Sequence, residues 1–280
     1  MVTDADGVFR SRWRLPRLAL ISPEISADGR RLTLHGPGIG RLAIDVDTAG
    51  ARRDVVLFGT PYKGIDQGDE AAGWLSEFLG APTRLVRVPP EHGRVTDGRT
   101  PGTSGYADSC AVHILSRSTL DLLNERMAAR GAAPLPMDRF RPNIVIEGWG
   151  EPHAEDRVRH VVLGGAELSY AKLAIRCVVT MVDQRTGAKA GPELLRTLAD
   201  YRRAAGGGVA FGTKLAVLRP GKVSVGDQVS VPEAEGVCVA LPVGRSFAHA
   251  GIGSTRSRPC PCRRSWASRN LGSTWRGSAL

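Results

Sequence analysis

Apolar and polar positions alternate along the first part of the chain, recur at helical spacing in the middle, and alternate again further on. "RLALISPEIS" (17–26) and "RRLTLHGPGIGRLAIDV" (30–46) put every second residue on an apolar face, and Asp28-Gly29 and Gly36-Pro37-Gly38 supply turns. Residues 1–46 therefore read as short strands. In "DEAAGWLSEFLG", Ala71, Trp74, Leu75, Phe78 and Leu79 share one helical face and Gly80 ends the run, which predicts a helix. "TRLVRV" follows as a strand, and the Pro-, Gly- and Thr-rich residues 89–107 read as a loop. "CAVHILS" is an apolar strand. "RSTLDLLNERMAARG" is a helix with Ser118 or Thr119 near its cap, Leu120, Leu123 and Met127 as its stripe, and Gly131 after it. "RPNIVIEGW" and "HVVLGGAELSYAKLAIRCVVTMVD" give further strands, "PELLRTLADYRR" a short helix, and "AFGTKLAVLRPGKVSVGDQVSV" two strands around Pro220-Gly221. Many short strands with three interspersed helices predict a β-rich α+β protein built on a barrel.

At 280 residues the chain is long enough for one large domain or two small ones. Its formal charge of +10 changes meaning with position. Residues 236–280 carry seven arginines and no Asp or Glu, which leaves +3 on the first 235 residues. A nearly balanced body does not describe a nucleic-acid surface, so no specific nucleic-acid partner is expected. The closing stretch has no hydrophobic period and is rich in Ser, Arg, Gly and Pro, which predicts disorder. No apolar run is long enough for a membrane span, and no basic region followed by an apolar segment opens the chain. A cytoplasmic location is the expectation.

The five cysteines are Cys110, Cys177, Cys238, Cys260 and Cys262. Their spacing suggests neither a disulfide framework nor a zinc site. The histidines form no constellation, and His113, set in an apolar strand, reads as a core residue. No nucleophile elbow, P-loop or dinucleotide fingerprint occurs in a supporting context.

Three segments go further when taken together: "RFRPNIVIEGW" (139–149), "LAIRCVVTMVDQRTG" (173–187) and "FGTKLAVLRPGKVSVGDQVSV" (211–231). In this order they resemble the MOSC domain, named after the C-terminal domain of molybdenum cofactor sulfurase. "SRSTLDLLNERM" and "LRTLADYRR" fit the same pattern. "PRLALISP" and "GDEAAGWLSEFLGAPTRLVRV" resemble the β-barrel domain that precedes MOSC in the amidoxime-reducing branch. The resemblance implies a MOSC-type, pyruvate-kinase-like barrel with a smaller N-terminal barrel. The expected divisions are 1–88 for the N-terminal barrel, 89–107 for a linker, 108–232 for MOSC and 233–280 for a basic tail. The family pattern opens with a Lys-Ser contact and an Asp-Arg pair that have no counterpart here. Two expectations follow: either the start is placed too late, or the first barrel is truncated, with an open edge strand.

The resemblance also assigns roles. Cys177 occupies the place of the thiolate that ligates molybdenum, a soft ligand for a redox metal already held by a dithiolene. Arg176 beside it offers positive charge to the thiolate or to the cofactor phosphate. Arg141 and Asn143 match positions that hold the pterin cofactor, an Arg fork for phosphate and an amide for pterin edges. Ser109, in the turn Asp108-Ser109-Cys110, and Lys214 match further cofactor contacts, and Asp183 borders the substrate opening as a catalytic candidate. The implied cofactor is the molybdenum cofactor. The implied reaction is reduction of N-hydroxylated small molecules with N–O cleavage. The chain lacks plant-type ferredoxin cysteine spacing, so electrons are expected from a separate ferredoxin- or cytochrome-like protein. The alternatives are a non-enzymatic carrier of the cofactor and an inactive relative.

Overall fold

The computed structural model describes residues 1–232 and 275–277. The first part contains β1 (Val2–Asp4), β2 (Ser22–Ile25), β3 (Arg31–Gly36), β4 (Ile39–Asp45), β5 (Arg52–Leu57), β6 (Thr60–Asp66), the helix α1 (Asp69–Leu79) and β7 (Thr83–Arg87). They form two antiparallel sheets, one in the order β1-β7-β6-β5 and one in the order β2-β3-β4. The expected stripe of α1 is what it buries: Ala71, Leu75, Phe78 and Leu79 pack on Leu18, Leu34, Leu42 and Ile44. Each large side chain in this contact contributes about 1.5–3 kcal/mol by leaving water. Gly80 ends the helix in the left-handed conformation, at φ 69°, which glycine adopts without a Cβ clash.

Two readings of this part change. Residues Pro16–Leu20 are a 3-10 turn rather than a strand, and pairing begins only at Ser22. Pro16 has no amide to give a ladder, and its fixed φ suits the first position of a helical turn. The hairpin β5–β6 was not legible. Its two-residue turn, Phe58-Gly59, has φ 52° and 84°, the geometry that Asn-Gly usually marks.

The remaining elements are β8 (Val95–Thr96), β9 (Gly102–Thr103), β10 (Val112–Ser116), α2 (Arg117–Ala128), β11 (Ile144–Ile146), β12 (His160–Leu163), β13 (Ala166–Arg176), α3 (Glu193–Tyr201), β14 (Val209–Arg219), β15 (Val229–Ser230) and β16 (Trp275–Gly277). Seven described strands make one sheet in the order β15-β12-β13-β14-β10-β11-β16. Only β10 and β11 pair in parallel. The sheet curls into a nearly closed barrel, and register shifts along the long β13–β14 pair supply local bends. Ile114, Ile146, Leu163, Leu168 and Leu215 share one core cluster. Leu120 and Leu123 of α2 and Leu198 of α3 close a second with Phe140 and Phe211. Gly212 is required where β14 crosses β10: at φ 82°, a Cβ there would sit 2.5 Å from His113 Nε2 and 2.7 Å from the Ile114 carbonyl.

Three further differences bear on the site. The N-cap of α2 is Ser116, not Ser118 or Thr119, because β10 runs straight into the helix. Ser116 Oγ accepts from the Thr119 amide and donates to the buried Glu155 carboxylate at 2.9 Å. Strand β13 stops at Arg176, and Val178–Met181 form a 3-10 turn rather than continuing the strand. The stretch expected to be a linker is stitched to β13: the Arg99 amide donates to the Ala171 carbonyl at 2.8 Å, and Lys172 Nζ reaches Asp97 at 2.6 Å.

The expected disordered tail falls outside the described residues except at Trp275–Gly277. These pair antiparallel with β11, whose outer edge offers free backbone groups. Cys238, Cys260 and Cys262 lie outside the described residues.

Candidate functional site

Cys177 is the first residue past β13. Its backbone is extended, with φ −118° and ψ 178°, and its carbonyl accepts from the Thr180 hydroxyl at 2.8 Å. The backbone is thus fixed at the head of a turn while the free thiol is exposed. Arg176 precedes it. Its Nη2 donates to the Phe140 carbonyl at 3.0 Å, and its Nε is buried with no hydrogen-bond partner. Burial holds the Arg176 guanidinium below its ordinary pKa; Asp108 and Cys177 oppose that shift and Arg141 adds to it.

Arg141 follows the 3-10 turn Met137–Phe140 with φ 51° and ψ 52°. A non-glycine residue in this region costs about 1–3 kcal/mol, and Pro142 restricts the preceding backbone further. Desolvation lowers the Arg141 pKa, and Asp108 opposes the shift. Lys214 stands on β14 opposite His113 and donates to Asp108 at 3.1 Å. Desolvation pushes the Asp108 carboxyl upward, but Lys214 and then Arg176 outweigh it, so it ionises below the usual carboxylate range. His113 is buried, its Nε2 lacks a partner, and burial with Arg176 and Lys214 beside it keeps the imidazole neutral.

Arg141, Arg176 and Lys214 therefore lie around Asp108, and Cys177 adjoins Arg176. The other candidates are placed differently. Asn143 staples β10 to β11: its Oδ1 accepts from the His113 amide at 2.9 Å, and its own amide donates to the His113 carbonyl at 2.8 Å. Ser109 precedes β10, with its hydroxyl 3.7 Å from the buried Cys110 thiol. Asp183 lies on the loop after Cys177. Its Oδ1 accepts from the amides of Arg185 and Thr186, and its Oδ2 pairs at 2.5 Å with Arg139, which is 5% exposed.

Sequence reasoning missed Arg12. This residue, before β2, donates from Nη1 to Gln184 Oε1 on the loop after Cys177. Burial, then the like charge of Arg141, lowers its pKa to about 9. An arginine in a polar loop carries no signal of this; only the contact reveals it.

Family models decide the grouping. The model described as MOSC domain matches residues 101–230, and that described as MOSC N-terminal beta barrel domain matches residues 1–82. The chain belongs to the MOSC family. Mitochondrial amidoxime reducing component 2 of Rattus norvegicus is 31% identical over 247 residues, covering 82% of this chain and 71% of that protein. Mitochondrial amidoxime-reducing component 1 of Homo sapiens is 31% identical over 245 residues, with the same coverage. Molybdenum cofactor sulfurase of Danio rerio is 30% identical over 234 residues, 77% of this chain and 28% of that protein. These relatives overturn the cytoplasmic expectation, since the amidoxime-reducing components are mitochondrial by name. No helix among the described residues is long and apolar enough to cross a membrane.

MOSC membership implies a molybdenum cofactor, and the residues present fit one. Three cations surround one carboxylate, which suits a phosphate-bearing group. The unpartnered Arg176 Nε is a buried donor beside them. Among the described residues no three His, Cys, Asp or Glu side chains converge to hold a metal. Among the described residues the one exposed thiol, Cys177, suits a metal that brings soft ligands of its own.

Proposed function

We propose that this MOSC protein is a molybdenum-cofactor oxidoreductase that reduces N-hydroxylated small molecules. The observation that carries the reading is the exposed Cys177 thiol fixed at the end of β13, next to the Arg176–Arg141–Lys214 cluster. The amidoxime-reducing names of the relatives supply the substrate class. When bound, the cofactor supplies two-electron reduction of the N–O bond.

The chain's residues hold and orient. Cys177 gives the protein's thiolate ligand. Arg141, Arg176 and Lys214 grip the cofactor's phosphate. Asn143 has its Oδ1 committed to His113, which leaves its Nδ2 as the donor to the pterin, and the Ser109 hydroxyl is a further donor. Asp183 borders the opening as a positioning residue, since both of its oxygens hold the loop and Arg139. A separate ferredoxin- or cytochrome-like protein delivers the electrons.

The test is the full chain produced with a supply of cofactor. Molybdenum is measured by mass spectrometry, and turnover of an amidoxime is followed with a chemical reductant. Wild type should hold the metal and turn over; Cys177→Ser should keep its circular dichroism and lose both. Wild-type metal content and turnover in Cys177→Ser would remove Cys177 as ligand. The likeness to molybdenum cofactor sulfurase favours a second reading, a carrier of the cofactor, which metal retention without turnover in wild type would select.

A further inference from the structure

Several arginines largely withdrawn from water meet a carboxylate, while the half-buried Arg87, Arg94 and Arg176 are taken by backbone carbonyls. Arg139 pairs with Asp183, Arg202 with Asp156 at 2.5 Å, and Arg84 with Asp66 and Asp69. Arg12 departs from both groups. It is half-buried, pairs with no carboxylate among the described residues, and rests on the neutral amide of Gln184. That amide is itself oriented, because Gln184 Nε2 donates to the Val182 carbonyl at 2.9 Å. The segment carrying Arg12 is fixed on both sides. The amides of Arg14 and Leu15 bond back to the Ser11 carbonyl, and Lys189 Nζ lies 4.2 Å from the Trp13 ring centre. The loop it docks on is the one that follows Cys177. Gln184 adjoins Asp183, whose carboxylate pairs with Arg139 two residues before Arg141, so this contact places Arg12 beside the segment that carries Arg141, close enough to feel its charge, with an uncharged acceptor.

We propose that Arg12 is a fourth cation of the phosphate clamp, brought to it from the segment before β2, so that the site recognises a dianionic phosphate-type group rather than a single negative charge. The inference rests on the clamp proposed above. Like charges gathered around one carboxylate repel each other, and a dianion among them turns that repulsion into attraction. A neutral tether suits the role: Gln184 sets the direction of the guanidinium without cancelling its charge.

The probe is inorganic phosphate at millimolar concentration, with sodium chloride added to hold ionic strength constant, and thermal unfolding of the full, cofactor-free chain as the readout. The melting temperature of wild type should rise with phosphate. In Arg12→Gln the phosphate dependence should shift to about tenfold higher concentration, while the melting temperature without phosphate stays level or rises, because one like charge is gone. Arg12→Lys should recover part of the phosphate response. An unshifted phosphate dependence in Arg12→Gln, alongside a weakened one in Arg141→Gly, would overturn the role of Arg12 and leave the clamp standing. A wild type that ignores phosphate would overturn the clamp and the proposal together.

Discussion

The helix α1 with its sheet and the Cys177 end of the barrel follow opposite rules. Under α1, Leu34, Leu75 and Phe78 are buried among other apolar side chains, and left-handed backbone falls on Gly80, where it is cheap. At the Cys177 end, two arginines and a lysine crowd one aspartate. Left-handed backbone falls there on Arg141 before a proline, and buried nitrogens of His113 and Arg176 have no partner. The first region is arranged to be stable by itself. On the function proposed above, the second gives up stability in the free protein to keep charge and donors directed at a ligand.

The sharpest way to break this contrast is to damage the first region. Leu75→Ala should lower unfolding free energy by about 3 kcal/mol in urea titrations while leaving the phosphate-induced rise in melting temperature unchanged; a lost phosphate response would show the regions are not separable. Acid tests the second region. Because His113 stays neutral in the fold, the unfolded chain takes up a proton near pH 6.5 that the native state refuses. Stability is full above that pH and falls below it, by up to about 1.4 kcal/mol per pH unit. His153, with its pKa lowered to about 4 by burial and then Arg202, adds to the slope over the same range. Urea midpoints at pH 7 and pH 5 check this, and equal midpoints would contradict it. Ser116→Ala removes the cap of α2 and should cost about 1 kcal/mol, again with phosphate binding intact. The smallest expected change in stability is at Arg141→Gly. Glycine relieves the left-handed backbone, so unfolding free energy should hold or rise slightly while the phosphate response falls away.

What could be read in advance follows from how local the signals are. The stripe of α1 and its Gly80 stop are contained in one short window, and the window specified them. The Phe58-Gly59 hairpin was missed because Phe occupies a backbone conformation that turn rules reserve for Asn or Asp. "RLALI" alternates like a strand, but Pro16 and the packing of Leu18 against α1 hold it as a 3-10 turn. Cys177, Arg176 and Arg141 were legible as candidates through motifs in sequence. Arg12 was not, since its significance comes from Gln184, which stands 172 positions along the chain. The double duty of Asp183 was hidden for the same reason: Arg139 looks like a surface residue until the fold buries it.

The stitched stretch between β7 and β10 has a consequence for how such proteins could be recombined. Thr100 Oγ1 lies 2.9 Å from Ser169 Oγ, the Arg99 amide is taken by Ala171, and a Cβ on Gly102 would come within 2.7 Å of Ala216 Cβ. A chimera that borrowed its front half from a relative and was joined within 89–107 would inherit a seam fitted to someone else's β13 and β14. Exchange should succeed only when the connector travels with the barrel it is sewn to, which places the workable crossover before Pro89 rather than within the loop.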